Sequence, residues 1–143
     1  MKISDVLRSK GGGVVTITPD DTVANLLALL DEHRIGAVVV SGDGSAVDGI
    51  VSERDVVRHL HGSGTSVLDG PVSAIMTSEV TTGSADSDIA ALAGTMTEMR
   101  VRHVPIVDED GHLTAIVSIG DIVKSRLNEL QSERDALREY ITN

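Results

Sequence analysis

The chain contains an internal repeat with a period of 66 residues. Residues 49–55, GIVSERD, align with residues 115–121, AIVSIGD, so that Ser and Asp stand three positions apart in both copies. The same shift needs no gap over the rest of the unit and aligns apolar positions such as Val23 with Ile89. A period this long that occurs only twice indicates a duplicated unit that closes on itself, because an open solenoid needs three or more stacked repeats.

Each copy predicts the element order strand, helix, strand, strand, helix. In copy 1 these elements are predicted at residues 14–17 (strand), 23–30 (helix), 36–40 (strand), 49–51 (strand) and 52–61 (helix). Copy 2 repeats the order, with an apolar helix face over 89–96 and strands at 103–107 and 114–117. Pro105 lacks an amide hydrogen, so we expect it at a sheet edge or at a position that needs no hydrogen bond.

A stretch rich in Gly, Ser and Pro over residues 61–71 predicts a linker between the copies. A short apolar segment precedes each copy, but at a shift of 69 rather than 66 residues. The three extra residues coincide with the glycines at 11–13, which we interpret as a loop insertion in copy 1; close approach of this backbone to a ligand is the alternative. The predicted units are 1–68 (copy 1 with its lead-in), 69–127 (copy 2) and 128–143 (a C-terminal helical extension).

The C-terminal extension continues a heptad-like stripe that starts inside copy 2. Its positions, with spacings of four and three residues, are Val123, Leu127, Leu130, Arg134, Leu137 and Ile141. Two interpretations stay open, a helix that packs on its own domain and a contact between two copies of the chain.

Composition narrows the classes of function. The length of 143 residues favours a single domain with a substantial core, and 41% hydrophobic with 24% charged residues is typical of a globular chain. The chain has no Cys, which excludes disulfides and thiolate metal sites. A net charge of -10 opposes binding to nucleic acid, and Tyr140 as the only aromatic residue leaves no platform for base stacking.

The N-terminus opens no apolar signal region, and no apolar run approaches the roughly 20 residues that span a bilayer. We therefore expect a cytoplasmic protein that does not insert into a membrane. Gly-x-Ser-x-Gly, P-loop and Gly-x-Gly-x-x-Gly motifs do not occur, so we do not expect an enzyme. His59 and His61 have no third ligand nearby in the sequence and are interpreted as surface residues rather than a metal site.

The two Ser-x-x-Asp segments, Ser52 to Asp55 and Ser118 to Asp121, have two interpretations. Either segment alone is explained as a capping box, in which Ser and Asp satisfy backbone amides at a helix start. Each segment also follows a buried strand, and the amides at a helix N-terminus attract phosphate. A first-turn carboxylate accepts both ribose hydroxyls in dinucleotide folds, so a nucleotide site is the second interpretation.

Basic residues stand near these motifs in an otherwise acidic chain. Arg54 lies inside the first motif, and residues 99–105 contain Arg100, Arg102 and His103. Because aromatic side chains are lacking, a purine would lie between aliphatic ones, with these candidates: Val15, Ile35, Val101, Pro105 and Ile116.

The duplicated Gly-Ile-Val-Ser-x-x-Asp pattern and the RHVPIV segment at 102–107 resemble a tandem pair of cystathionine β-synthase (CBS) domains, a Bateman module of the small stand-alone bacterial type. The resemblance covers nearly the whole chain. It implies an α/β fold in which two β-α-β-β-α repeats pack through their sheets about a pseudo-two-fold axis. It further implies a disk-shaped homodimer and two clefts for adenosine compounds such as AMP, ADP, ATP or NAD.

The resemblance thus implies a regulatory module with no catalytic cofactor, an adenine nucleotide as ligand and an unidentified effector protein. The alternative is a ligand-independent homodimeric scaffold with degenerate clefts. One cleft is expected to use Val14, Val15, Ile35, Gly36, Ala37, Ile116, Ser118, Gly120 and Asp121, with Arg102 and His103 at the phosphates. The other is expected to use Ile50, Ser52, Arg54, Asp55, Val80, Thr82, Val101 and His103.

The two expected clefts differ in their cations. Copy 1 has Gly36 and Ala37 where copy 2 has Arg102 and His103. The cationic side chains that would bind phosphate therefore come mainly from copy 2. We expect the cleft with Asp121 to bind the ligand more tightly.

Overall fold

The computed structural model describes residues 1–11 and 13–143; Gly12, inside the interpreted loop insertion, lies outside the described residues. The helices are α1 (Ile3–Lys10), α2 (Val23–His33), α3 (Glu53–Ser63), α4 (Ile89–Met99) and α5 (Ile119–Thr142). The strands are β1 (Thr16–Ile17), β2 (Ala37–Val40), β3 (Gly49–Ser52), β4 (His103–Val107) and β5 (Leu113–Ser118). Two short 3-10 helices, Gly64–Asp69 and Val72–Ala74, occupy the region predicted as a linker and the start of copy 2.

The two sheets are less alike than the repeat predicts. In copy 1, β2 pairs in parallel with β1 and antiparallel with β3. In copy 2, β4 pairs with β5, and the expected first strand is reduced to one bridge between Gly83 and Ile106. Gly83 stands where copy 1 has Ile17, and glycine weakens a strand because it has no side chain to pack and loses more entropy on ordering.

Pro105 lies inside β4 without interrupting its pairing with β5. Its carbonyl accepts a hydrogen bond of 2.9 Å from the amide of Gly83. The N–H and C=O of one strand residue point to the same side, so the missing amide faces away from β5. This is the position without a required hydrogen bond that the sequence predicts.

Helices α2 and α4 end in the same unusual way. Arg34 and Arg100, which are 66 positions apart, adopt left-handed backbone with φ of 52° and 56°. This conformation costs a non-glycine residue about 1 kcal/mol. In both copies it reverses the chain, so that the next residue bonds back to the helix, Ile35 to Leu30 and Val101 to Met96.

Each copy has its own apolar core, and the two lead-in segments are exchanged between them. Ile3 and Val6 of α1 pack with the buried side chains of copy 2. Val72 and Ile75, which precede copy 2, pack with those of copy 1. Packing therefore crosses the boundary that sequence order suggests at residue 68.

The sheets bury both of their faces. Val38 and Val40 of β2 belong to the core of copy 1, while Val39, on the other face, is also fully buried. In β4, Val104 belongs to the core of copy 2 and Pro105 is buried on the opposite face. The elements and these two cores confirm the predicted α/β class with two repeats and a C-terminal helix.

Helix α5 runs for 24 residues, about 36 Å, and its C-terminal part extends beyond the region that packs on the domain. Ile122 and Ser125 are buried in its first turns, and every residue from 131 onward is exposed. Within the described residues, no helix has the length and apolar character required to span a bilayer.

Candidate functional site

Both Ser-x-x-Asp segments form the predicted capping box. The amide of Ser52 donates to Asp55 Oδ2 at 2.8 Å, and the amide of Asp55 donates to Ser52 Oγ at 3.4 Å. The corresponding distances between Ser118 and Asp121 are 2.8 and 3.2 Å. One carboxylate oxygen in each copy is thus engaged in starting a helix, and any ligand role depends on what surrounds the other oxygen.

A cavity of about 280 Å³ opens at the start of α3, and we call it the Asp55 cleft. This volume is close to the lower end of the range for small-molecule sites, roughly 300–1,000 Å³. Its lining includes these predicted residues: Gly36, Ala37, Ile50, Ser52, Arg54, Asp55, Val80, Val101, Arg102 and His103. Both copies therefore contribute walls.

The wall from copy 2 is held in place by pairing with β3. Ile50 and Thr77 exchange two backbone hydrogen bonds, of 2.9 and 2.8 Å. Gly49 permits this approach, because a Cβ at that position would lie 2.9 Å from the Thr77 carbonyl oxygen and 2.6 Å from the Met76 sulfur. The segment that follows Thr77 then carries Val80 into the cleft.

Sequence reasoning missed several residues of the Asp55 cleft: Glu53, Arg58, Thr77, Glu79, Thr81 and Arg100. Arg58 had a signal, because it stands four positions after Arg54 and so shares its helix face. Arg100 also had a signal in the sequence, because it belongs to the basic segment at 99–105. Thr77 and Glu79 had no signal in the sequence, since their position in the cleft depends on the pairing of their segment with β3.

The carboxylate of Asp121 has a cationic partner, which binds the same oxygen that caps the helix. The ammonium of Lys10, at the end of α1, lies 2.8 Å from Asp121 Oδ2 and 2.8 Å from the carbonyl oxygen of Ile116. Burial raises the pKa of Asp121, but hydrogen bonds from Lys10 and Ser118 outweigh it and hold this pKa below its ordinary value. Asp121 is therefore an ionised group that already has a cationic partner.

The two copies differ in how one carbonyl is satisfied. In copy 1 the carbonyl of Ile50 accepts from the backbone amide of Thr77, whereas in copy 2 the equivalent carbonyl of Ile116 accepts from Lys10. The 66-residue shift carries Thr77 onto Gly11, at the glycine loop. A lysine side chain thus takes the place that a paired backbone segment has in copy 1.

Several other predicted site residues lie outside the lining of the Asp55 cleft. Val15 and Ile35 pack against the core of copy 1, and Val14 is half-buried. Pro105 is buried, while Gly120 and Thr82 are exposed. Gly36, Ala37 and Arg102, which the sequence assigns to the Asp121 cleft, line the Asp55 cleft, and so does His103, which the sequence assigns to both clefts.

His103 stands between the two motifs. Burial lowers the pKa of His103, and the charges of Lys10 and Arg102 lower it further, against the opposing effect of Asp121 and Glu53. The lowered pKa of His103 favours the neutral ring, which can hydrogen-bond without carrying a positive charge.

Two other groups of potential metal ligands are engaged in local structure. His59 Nδ1 lies 2.8 Å from the carbonyl oxygen of Asp55 in its own helix. In the β4–β5 turn, Asp108, Asp110 and His112 are exposed and close to one another. Asp108 Oδ1 accepts the amides of Asp110 and His112, both at 2.9 Å, so this carboxylate organises the turn.

Comparison with known proteins identifies the repeat. Residues 3–62 and 72–128 match the CBS domain family. The mitochondrial CBS domain-containing protein CBSX3 of Arabidopsis thaliana is 35% identical over 147 residues, covering 97% of this chain and 71% of that protein.

Solved structures agree. A CBS-domain-containing protein from Agrobacterium tumefaciens is 42% identical with a TM-score of 0.83, over 88% of this chain and 99% of that one. A CBS domain protein from Pyrobaculum aerophilum, solved in complex with AMP, is 26% identical with a TM-score of 0.75, over 85% and 89% of the two chains. Both repeats, their fold and their motifs therefore lead to one conclusion: the chain belongs to the CBS domain family.

Proposed function

We propose that this chain is a regulatory module that binds an adenosine-containing nucleotide in the Asp55 cleft. The observation that carries the proposal is the meeting of Asp55 and Ser52 from copy 1 with Val80 and Val101 from copy 2 around one cavity. Asp55 Oδ1 makes no hydrogen bond with any residue in the described ranges 1–11 and 13–143, so it is available to ribose hydroxyls.

The chemistry of the walls fits an adenosine. Ile50, Val80 and Val101 are half-buried aliphatic side chains on the cavity, and they offer a purine an apolar surface on both sides. The carboxylate at the start of α3 provides the polar group that fixes orientation, as in most small-molecule sites. The AMP complex of the Pyrobaculum aerophilum relative supports the same class of ligand.

We rank the clefts in the opposite order from the sequence-based expectation. The ammonium of Lys10 already lies beside Asp121, whereas no cation within the described residues pairs with Asp55. Arg102 and His103, on which the earlier ranking depended, line the cavity next to Asp55. The proposed primary site is therefore the Asp55 cleft.

A ligand in this cleft contacts both copies at once and stabilises one arrangement of the two repeats. Such a ligand regulates only if another arrangement binds it with different affinity. The output is a changed surface that an effector protein distinguishes. The proposed role is that of a non-catalytic sensor.

Thermal unfolding with AMP, ATP, NAD and NADH tests the proposal. A ligand that binds the native state raises the midpoint temperature of unfolding as the ligand concentration increases. Asp55→Asn should remove most of this shift, since the amide keeps an oxygen for the capping box but loses the carboxylate. Asp121→Asn is the matched control and should retain the shift. Loss of the shift in Asp121→Asn alone would reverse our ranking of the clefts.

A homodimeric scaffold is the second candidate, and the apolar stripe of α5 favours it. The side chains of Leu127, Leu130 and Leu137 are about half exposed or more. They lie on the part of α5 that extends beyond the domain. A scaffold needs no ligand, so absence of a thermal shift with every adenine nucleotide would favour this candidate over the sensor.

A further inference from the structure

The Asp55 cleft collects positive charge in an acidic protein. The chain has 12 Lys and Arg against 22 Asp and Glu. Nevertheless, Arg54, Arg58, Arg100 and Arg102 all line this single cavity. One third of the basic residues of the chain thus face a small part of its surface.

These four arginines have no partner in the part of the chain that the structure describes. Within residues 1–11 and 13–143, none of them forms an ion pair or a side-chain hydrogen bond. The carboxylates of Glu53, Asp55 and Glu79 line the same cavity, yet none lies within 4.0 Å of these guanidinium groups. Neighbouring like charges without partners repel each other, and a bound anion would relieve that repulsion.

The arginines approach the cavity from two sides. Arg54 and Arg58 are four residues apart on α3, so they share one helix face. Arg100 and Arg102 flank Val101 in the segment between α4 and β4, where Arg100 holds the left-handed turn. An anion between these pairs would contact both copies of the repeat.

The number of arginines indicates how much phosphate the cleft accepts. A guanidinium binds phosphate in a bidentate manner through two oxygens. The three free oxygens of a single terminal phosphate form three pairs, which is one pair too few for four bidentate guanidinium groups. A chain of two or three phosphates supplies enough oxygens and enough length to reach both sides of the cavity.

We propose that the Asp55 cleft selects a nucleoside di- or triphosphate over a nucleoside monophosphate or an uncharged nucleoside, through Arg54, Arg58, Arg100 and Arg102. The nucleoside part of this inference rests on the proposed function; the polyphosphate part rests on the arginines alone. Asp55 would hold the ribose, and the four arginines would hold the phosphate chain.

Isothermal titration at fixed ionic strength with adenosine, AMP, ADP, ATP and inorganic tripolyphosphate tests the inference. We expect affinity to rise about 10-fold or more from AMP to ADP and ATP, because charge-assisted hydrogen bonds are the strong ones. The dependence of ATP affinity on salt should be steeper than that of AMP, since more charge is neutralised.

Arg100→Gln and Arg34→Gln form a matched pair. Both positions end a helix with the same left-handed backbone, but Arg100 lines the Asp55 cleft and Arg34 does not. Arg100→Gln should weaken ATP and tripolyphosphate binding about 10-fold and leave adenosine binding unchanged. Arg34→Gln should change neither, and equal weakening by both variants would overturn the assignment to this cleft.

The probes separate failure of this inference from failure of the proposed function. Equal affinity for adenosine, AMP and ATP would overturn the polyphosphate inference and leave the adenosine function standing. Tripolyphosphate binding that is lost in Arg100→Gln, without binding of adenosine or AMP, would support the inference and refute the adenosine part of the function. Binding of none of the five probes would overturn both.

Discussion

Lys10 shows how one side chain distinguishes two copies of the same motif. Ser52 with Asp55 and Ser118 with Asp121 make the same capping box, but of these two carboxylates Asp121 alone carries an ion pair with another described residue. The pair is partly exposed, at 37% for the Lys10 side chain and 21% for Asp121. Its energetic value is therefore modest, but it places a positive charge beside one of the two carboxylates.

Lys10→Met should lower the free energy of unfolding at pH 7 by up to about 1 kcal/mol. The folded-state pKa of Asp121 is depressed, so its stabilising contribution is present above the unfolded value of about 3.9 and is lost as pH falls through the lower folded pKa. The difference between variant and wild type should thus disappear in that acidic range. Urea unfolding from pH 7 to 3 measures it.

Lys124→Met provides the control for that series, because it removes an ammonium that is unpaired among the described residues. It should leave the stability difference between pH 7 and 3 unchanged. A loss equal to that of Lys10→Met would mean that general charge, rather than the contact with Asp121, produces the effect.

His103 gives the protein a pH dependence nearer neutrality. Its pKa is lowered in the folded state by burial and by Lys10 and Arg102, against Asp121 and Glu53, so the unfolded chain binds more protons. Stability should therefore fall as pH drops from about 6.5 toward the folded pKa. His103→Gln should flatten this part of the curve in denaturant titrations between pH 7.5 and 5. An unchanged slope would show that another group titrates there.

At the scale of elements, the pairing of β3 with the lead-in of copy 2 builds one wall of the site. Gly49 is required there by the close approach of Thr77, whereas copy 2 has Ala115 at the equivalent position, where Lys10 replaces the backbone pairing. The difference between Gly49 and Ala115 at this position of the repeat is thus explained by what packs against each strand.

Gly49→Ala should destabilise the protein by about 1–3 kcal/mol, because the new methyl would contact a backbone oxygen that cannot move alone. Gly94→Ala is the opposite control. Gly94 lies inside α4, and a Cβ there would meet nothing within 4 Å, so the substitution should stabilise by up to about 1 kcal/mol. Thermal unfolding of both variants checks the signs, and a neutral Gly49→Ala would contradict the role given to the pairing.

Strand and helix positions follow from the sequence where the signal is local. Apolar runs predict β2 and β4, and the Ser-x-x-Asp pattern predicts the start of α3 and α5. The first strand of copy 2 is the exception. Gly83 pairs only once with Ile106, because a position without a side chain adds little packing to a ladder.

At the scale of the whole molecule, α5 extends the domain outward. Positions 123, 130 and 137 form one line of the heptad stripe and 127, 134 and 141 the other. Five of these six are large apolar side chains that are exposed. A second copy of the chain would cover the whole stripe with the same residues of its own α5, as in a two-stranded coiled coil.

Leu130→Glu combined with Leu137→Glu should weaken self-association at least about 10-fold, because it places charges in the apolar seam. Ser132→Glu adds a charge on the same helix outside the stripe and should leave association unchanged. Sedimentation velocity over a range of concentrations measures both. A wild-type chain that stays monomeric, or a double variant that associates as well, would exclude this surface as the contact.

The sequence by itself determines the duplication, the two capping boxes, the order of the main elements and the family, because each depends on residues close together in the chain. Tertiary structure alone decides which carboxylate has a cationic partner. Lys10 reaches Asp121 across 111 positions, and the lead-in of each copy packs on the other core. The same packing gathers Arg100 and Arg102 beside Arg54 and Arg58. The physical reason is that electrostatic and packing energies depend on distance in space, which a repeat in sequence does not specify.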